Sequence, residues 1–357
     1  MSVFTGTFVD GFRCFQGFTL EGFGPVNLIA GKNSSGKTAL LEALFLLSGA
    51  RNVGLVLNLS AYRGLSQIAK ESVSEVLFDP LFCDYDTDRN IKVSGSLVDG
   101  GTQEVTLRLG QAEATELELD QENEPEGAAE VQAGGIETLE LQYRSPEGDR
   151  DVTRLIATED GLQMRPSPPE PPFPGVFVSA RQNISATANA QRYSKLDIEK
   201  RGFNFEETLR IIEPRLEKVS TVFVGHPMLY GDIGLDHMIP LSMLGDGLGR
   251  LASILLAIAD SPDGVVFIDE VENGLHHSIQ EKVWNVIFRA ADRFNTQIFA
   301  TTHSYECIES AYRADERLEQ EDYLQLFRME LDGNRPTAQK YDREALSGAM
   351  EKDIEVR

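Results

Sequence analysis

A glycine-rich octapeptide, Gly31-Lys32-Asn33-Ser34-Ser35-Gly36-Lys37-Thr38, stands between the apolar stretch Pro25-Val26-Asn27-Leu28-Ile29-Ala30 and a run of strong helix formers, Ala39 to Leu47. The order strand, G-x-x-x-x-G-K-[ST], helix is that of a phosphate loop in an α/β sheet. Gly31 and Gly36 permit the tight wrap that turns successive backbone N–H groups toward phosphate oxygens. The start of the following helix adds a field that favours anions. In this pattern Lys37 neutralises the β- and γ-phosphates, the Thr38 hydroxyl ligates Mg²⁺, and Asn33, Ser34 and Ser35 line the cradle around ATP. Gly49 marks the expected end of the helix.

Composition narrows the remaining possibilities. The chain has 357 residues, 41% of them hydrophobic and 25% charged, enough for one large domain or two modest ones. Asp plus Glu outnumber Lys plus Arg by 57 to 33, a net charge of -24. Such a field repels nucleic acid, so any DNA contact needs a local basic patch, whereas ATP in a backbone cradle is unaffected. No apolar run approaches the roughly 18–20 residues of a membrane span. The start, Met1 to Asp10, lacks the basic lead and apolar centre of a signal peptide. Cys14, Cys83 and Cys307 are too few and too scattered for a disulfide framework or a spaced metal set. The adjacent His276 and His277 cannot point the same way on one helix or strand. A soluble cytoplasmic protein is expected.

Residues from about Val3 to Ala30 read as an antiparallel β-meander. Ile91–Val98, Val105–Leu109 and Leu139–Tyr143 alternate with period two, as strands with one wet face do. Glu113 to Glu130 holds eight acidic residues and no basic one, and Pro166 to Pro174 reads as a stiff extended connector. From Thr187 to Phe223 the chain has a helical tone, with Leu209, Ile212 and Leu216 at helix spacing and Pro214 interrupting it. The last third alternates helix and strand: about Gly247–Ala259, Val265–Ile268, about Ser278–Phe294 and Gln297–Ala300. The expected organisation is a nucleotide-binding core from 1–70 and 240–357. Residues 71–239 form an inserted β-rich and helical lobe carrying an acidic and Pro-rich linker at 113–174.

Three further stretches carry chemistry. Val265-Val266-Phe267-Ile268 delivers Asp269 and Glu270 to the sheet's carboxyl edge. There Asp269 suits holding Mg²⁺ through water, and Glu270 suits the general base for the attacking water. His303 follows the strand Gln297–Ala300 and emerges on the same edge, within reach of a γ-phosphate or its water. Gly245-Asp246-Gly247 precedes an apolar helix and forms a second anion seat. One nucleotide cannot occupy both seats in one protomer, so each seat is expected to cap the nucleotide of a second copy.

Together these residues resemble the ABC-type ATPase heads of the RecF/SMC and OLD (overcoming lysogenization defect) group, often grouped with AAA-type ATPases. The likeness is carried by Phe12-Arg13-Cys14-Phe15, Asn27 to Ala43, Gly245 to Gly247, Ile268 to His276 and Thr301-Thr302-His303-Ser304. It implies an α/β P-loop NTPase head with a mixed sheet, an N-terminal antiparallel β-meander and an inserted β-rich and helical lobe. By this resemblance Lys37 and Thr38 take Walker A positions and Asp269 and Glu270 Walker B. His303 is the switch histidine, Gly245–Gly247 the signature and Glu272–His276 the D-loop. Arg13 lies where such heads present a basic residue near the nucleotide, and Gln182 falls at a Q-loop position. The signature of many relatives has Ser where this chain has Gly245, so a hydroxyl contact to the γ-phosphate is lacking. The Toprim domain of OLD nucleases has no room after His303, which argues against nuclease activity.

The leading expectation is a Mg²⁺-dependent ATPase whose heads pair around ATP and regulate a separate effector in genome maintenance or antiviral defence. Its rivals are a nucleotide-gated scaffold with little turnover and a RecF-like DNA-binding repair ATPase. The energising subunit of a membrane transporter fits less well. For DNA, the candidate bases are Arg181, Arg192, Lys195, Lys200, Arg201, Arg210, Arg215 and Lys218, set against a solvated face balanced by neighbouring carboxylates.

Overall fold

The computed structural model describes residues 2–49, 51–64, 74–112, 136–158, 161–180, 186–200, 205–318, 323–341 and 343–351. Strands β1 (Phe4–Asp10) and β2 (Phe18–Glu21) pair antiparallel, and β3 (Val26–Gly31) leads into α1 (Lys37–Ser48) and α2 (Leu55–Tyr62). Next come β4 (Ile91–Leu97), β5 (Thr102–Ala112), β6 (Ile136–Arg144), β7 (Arg150–Thr158), β8 (Gly161–Arg165) and β9 (Gly175–Val178). Helices α3 (Ala186–Ile198) and α4 (Phe205–Leu209) precede β10 (Lys218–Val224), β11 (His226–Asp232) and β12 (Ile239–Pro240). The last third runs α5 (Asp246–Ala259), β13 (Val265–Ile268), α6 (His277–Phe294), β14 (Gln297–Thr302), α7 (Tyr305–Asp315), β15 (Leu324–Asp332), β16 (Arg335–Tyr341) and α8 (Arg343–Glu351).

The core sheet has the order β16-β15-β3-β14-β13-β9, parallel except for the edge strand β16. Alternation along its strands divides two hydrophobic clusters. Leu28, Ala30, Val266, Ile268, Ile298 and Ala300 face the first, with α5, α6 and α7. Ile29, Val265, Phe267 and Phe299 face the second, with α1 and the antiparallel sheet β2-β1-β4-β5-β6-β7-β8. Sandwiched between two sheets, α1 buries residues all round its axis, which explains an apolar sequence without a polar stripe. The fully buried Gln297 joins the layers. Its Oε1 accepts from the backbone N of Val3 (3.0 Å) and Phe4 (2.8 Å), and its Nε2 donates to the carbonyls of Phe4 (2.8 Å) and Gly24 (2.9 Å).

Several expectations need correction. The sheets do not follow the 71–239 boundary: β4–β8 extend the sheet begun by β1 and β2, while β9 is an edge strand of the core sheet. The reason is apolar complementarity, since the inward faces of β4–β7 (Val93, Val105, Leu141, Leu155) cover α1. Within 113–174, expected to be linker, three strands lie at 136–165; the acidic stretch 113–130 falls outside the described residues. The expected meander breaks after β2, because the all-buried β3 belongs between two parallel neighbours. Helical structure does not reach Phe223. It ends at Leu209 ahead of Pro214, and the β-branched run from Val219 pairs with β11. His276 and His277 do lie together, ring centroids 4.1 Å apart, because His276 is the extended N-cap of α6 and not part of the helix.

Candidate nucleotide site

Parallel pairing sets Ala30 opposite Thr302 and Ile268 opposite Ala300, so β3, β13 and β14 all end on one edge of the core sheet. That edge delivers the phosphate loop, Asp269–Glu270 and Thr301–His303 to one place, the usual position of ligands in open α/β sheets. Gly31 turns there with φ +149; a Cβ on it would lie 2.4 Å from the Met329 carbonyl oxygen and 2.8 Å from Ser35 Oγ. Only glycine fits. Lys37 Nζ donates to the carbonyls of Gly31 (2.7 Å) and Lys32 (2.8 Å), drawing the loop into a ring. Burial holds the Lys37 ammonium below its ordinary pKa, an effect opposed by Asp269, Glu270 and Glu272.

Asp269 is the hub. Its Oδ1 accepts from Thr38 Oγ1 (2.9 Å) and Thr301 Oγ1 (2.7 Å), and the Thr301 hydroxyl accepts from the backbone N of Glu270 (2.8 Å). Glu270 is thereby held at φ 48, a left-handed conformation uncommon for a non-glycine residue. From the other side Arg250 donates through Nη2 to the carbonyls of Asp269 and, at 3.3 Å, Glu270, and through Nη1 to the carbonyl of Ser179 (2.7 Å). Burial lowers the Arg250 pKa to about 10, opposed by the charges of Asp269, Glu270 and Glu272.

These groups open onto a cleft of about 910 Å³ lined by Arg13, Asn33, Ser34, Gly36, Lys37, Thr38, Arg63, Asp269, Glu270 and Arg335, among others. Ser35 is buried behind it. Arg13 thus lines the cleft. It ion-pairs with the buried Glu42 at 2.6 Å, and Arg63 grips the same carboxylate through Nε (2.7 Å) and Nη2 (2.9 Å). Gly245 and Asp246 line a different cleft, of about 220 Å³, with Ser242, Gly249 and Ser253. Among the described residues the two clefts share no lining residue. Gly247 packs on the turn after β13, where a Cβ would lie 2.6 Å from the Gly274 carbonyl. His303 lines neither cleft; it is held by Glu272, whose Oε1 accepts from the His303 backbone N at 2.9 Å and lies 3.2 Å from its Nδ1.

Gln182, Arg181 and Arg201 fall outside the described residues. Several of the other candidate DNA-binding bases have acidic or carbonyl partners. Arg192 and Lys195 both pair with Asp260, Arg210 donates to the carbonyls of Leu216 and Glu217, and Arg215 pairs with Glu213.

Sequence reading missed Arg250, Glu42, Arg63 and Thr301. For two of them a signal was present: Glu42 and Arg250 are the ionised groups past the first turn of otherwise apolar helices, and such groups need partners. Nothing local marks Arg63; Thr301 lies in the Thr301–Ser304 motif, but its tie to Asp269 spans 32 residues.

A hydroxyl and a carboxylate 2.9 Å apart at the loop form an all-oxygen donor set that suits a hard cation such as Mg²⁺. Among the described residues no group of three or more His, Cys, Asp or Glu could hold a metal. A cation at Thr38 and Asp269 would thus complete its shell with phosphate oxygens and water, as Mg²⁺ commonly does.

A family model described as AAA domain, putative AbiEii toxin, Type IV TA system matches residues 26–309. The chain belongs to this AAA-domain family. This AAA-domain protein is 24% identical over 331 residues to an ATP/GTP phosphatase of Helicobacter pylori (strain ATCC 700392 / 26695), a match covering 84% of this chain and 85% of that relative. Its fold is similar to that of an SMC head bound to the C-winged helix domain of ScpA, with a TM-score of 0.51 and 12% identity over 98% of this chain and 100% of that one. It is also similar to an SMC head with an extended coiled coil bound to the C-terminal domain of ScpA derived from Pyrococcus furiosus (TM-score 0.50, 10% identity, 99% and 100% coverage). The protein is an ATP-binding P-loop ATPase with an AAA domain, and its fold is similar to that of SMC heads. No helix among the described residues is long and apolar enough to cross a membrane.

Proposed function

We propose that this AAA-domain protein binds ATP with Mg²⁺ at Gly31–Thr38 and hydrolyses it when two copies close face to face. The observation that carries this reading is the chain of hydrogen bonds Thr38–Asp269–Thr301–Glu270 beside Lys37. It links a hydroxyl, a carboxylate that would hold the cation and a second carboxylate that would serve as base.

In this reading the loop backbone and Lys37 bind the β- and γ-phosphates, and Thr38 and Asp269 hold Mg²⁺, which when bound neutralises charge that develops on the phosphates. Glu270, fixed through its backbone by Thr301 and Arg250, orients a water and takes its proton, a contribution of about 10²–10⁴ in rate. His303 stands at the same edge to contact the γ-phosphate or that water. Gly245, Asp246 and Gly247 cap the nucleotide of the other copy, which is why a cleft separate from the phosphate loop is needed.

Opening of the pair after hydrolysis would alter a separate effector protein. Both SMC heads named above are bound to parts of ScpA, which supports a protein partner. The resemblance to RecF, SMC and OLD heads supports a role in genome maintenance or antiviral defence. The test is ATP turnover by the purified wild type and a Lys37→Ala variant. The variant is expected to fall to background; turnover at the wild-type rate would refute the site.

A further inference from the structure

We propose that Glu272 is the positioning residue of His303: one carboxylate oxygen fixes the imidazole's tautomer, with hydrogen on Nδ1, and leaves Nε2 as the nitrogen free to meet a ligand. The proposal rests on the reading that His303 acts at the nucleotide, and it adds the group that governs how it acts.

Glu272 lies in the turn after β13, three residues past Asp269. The turn is pinned by the Val271 N–H to the Thr301 carbonyl and the Asn273 N–H to the Glu270 carbonyl, both 3.0 Å. Its Oε1 gathers three groups of the neighbouring loop: Thr302 Oγ1 at 2.7 Å, the His303 backbone N at 2.9 Å and His303 Nδ1 at 3.2 Å. The Thr302 hydroxyl itself accepts from the Ser304 backbone N (3.1 Å), so its proton is directed to Glu272. Ser304 in turn caps α7 by accepting from the Cys307 N–H (3.1 Å). One carboxylate thus ties the end of β13 to the end of β14.

A carboxylate oxygen 3.2 Å from Nδ1 favours the ring hydrogen on that nitrogen, which is the tautomer proposed. In the neutral ring Nε2 is then a bare acceptor, suited to take a hydrogen from water and unable to donate to a phosphate. A carboxylate that sets histidine orientation and tautomer in this way is a general device of acid–base sites. Two features set Glu272 apart from a carboxylate that only braces a loop. Its side chain is 9% exposed while the ring it holds is 50% exposed, so the fold does not need that ring buried. Its other oxygen, Oε2, is buried with no hydrogen-bond partner among the described residues. Desolvating a carboxylate with one oxygen unmet is costly.

The test uses the full chain with ¹⁵N-labelled histidine, in the wild type, Glu272→Ala and Glu272→Gln. Nitrogen-detected NMR reads the His303 tautomer, and steady-state kinetics reads kcat and KM for ATP. The wild type is expected to show the Nδ1–H form. Glu272→Ala is expected to revert toward the Nε2–H form common in free histidine and to lose roughly tenfold or more in kcat with KM within about twofold, part of the 10²–10⁴ that positioned proton-transfer groups supply. Glu272→Gln, which keeps an acceptor, is expected to retain the tautomer and most of the kcat. A His303 spectrum unchanged in Glu272→Ala, or a wild-type kcat in that variant, overturns the proposal. His303→Ala with full kcat would instead overturn the role of His303 at the nucleotide, and the nitrogen spectrum would still read the Glu272–His303 contact by itself.

Discussion

Arg250 donates from the second turn of α5 to the main-chain carbonyl of Asp269, so the helix that starts at Gly245–Gly247 holds the strand end that carries Asp269 and Glu270. Its fork also reaches the Glu270 and Ser179 carbonyls, joining the ends of α5, β13 and β9. Replacing it with Met leaves these buried carbonyls unmet. Arg250→Met is expected to lose about 3 kcal/mol of stability by denaturant unfolding and to lower kcat. Arg250→Lys is expected to recover only part of both, since an ammonium cannot reproduce the planar fork. Wild-type stability in Arg250→Met would show that the contact contributes nothing.

Glu270 separates a catalyst from a scaffold. Glu270→Gln is expected to cut ATP turnover by about 10²–10⁴ while ATP-bound pairs accumulate on size-exclusion chromatography with light scattering. A scaffold predicts little change in either quantity.

Gly245 sits at φ 128 and ψ 146, a region open almost only to glycine, yet a Cβ there would meet nothing within 4 Å. Glycine here therefore answers a backbone requirement at the helix start, not a crowding limit. Gly245→Ser is expected to cost about 1–3 kcal/mol by thermal or chemical melting. It should not gain ATP-driven association, because the added hydroxyl comes with a shifted turn.

Burial raises the pKa of all three thiols, Cys307 to about 12, with the charge of Glu272 adding to the effect. A folded pKa above the unfolded value of 9.0 means stability that is complete below pH 9 and is lost as pH climbs toward about 12. Native protein at pH 8 is expected to label slowly with a thiol reagent, and all three cysteines rapidly in denaturant. Cys14 lies beside the phosphate loop, 3.1 Å from where a Cβ on Gly36 would stand, so ATP is expected to slow its labelling further. Labelling of Cys307 in the native state as fast as in denaturant would contradict the burial argument.

What was legible from the sequence was local. The phosphate loop, β13 with its two carboxylates, and α5 through β14 each carry their signal within a dozen or so residues, as capping glycine, apolar run or periodicity. The partition of sheets was not legible. β1 and β3 are both short strands near the start of the chain, yet β1 pairs with β4 and β3 with β14 and β15, a choice set by which layer each face must cover. Likewise Thr301 and Thr38 converge on Asp269 from sequence separations of 32 and 231 residues, and no pattern near either residue records that. β14 brings His303 to the same sheet edge as the phosphate loop, but its neighbour Glu272 reads from the sequence only as part of a loop.

The separation of the Gly245 cleft from the phosphate-loop cleft underlies the proposed pairing, because the Gly245 seat lines no part of the same copy's phosphate-loop cleft. The most direct test is ATP turnover per molecule against protein concentration, with molar mass followed by analytical ultracentrifugation in the presence of ATP and Mg²⁺. Specific activity that rises with concentration alongside a two-copy species is predicted. Constant specific activity from a species that remains a single copy under every nucleotide condition would contradict it.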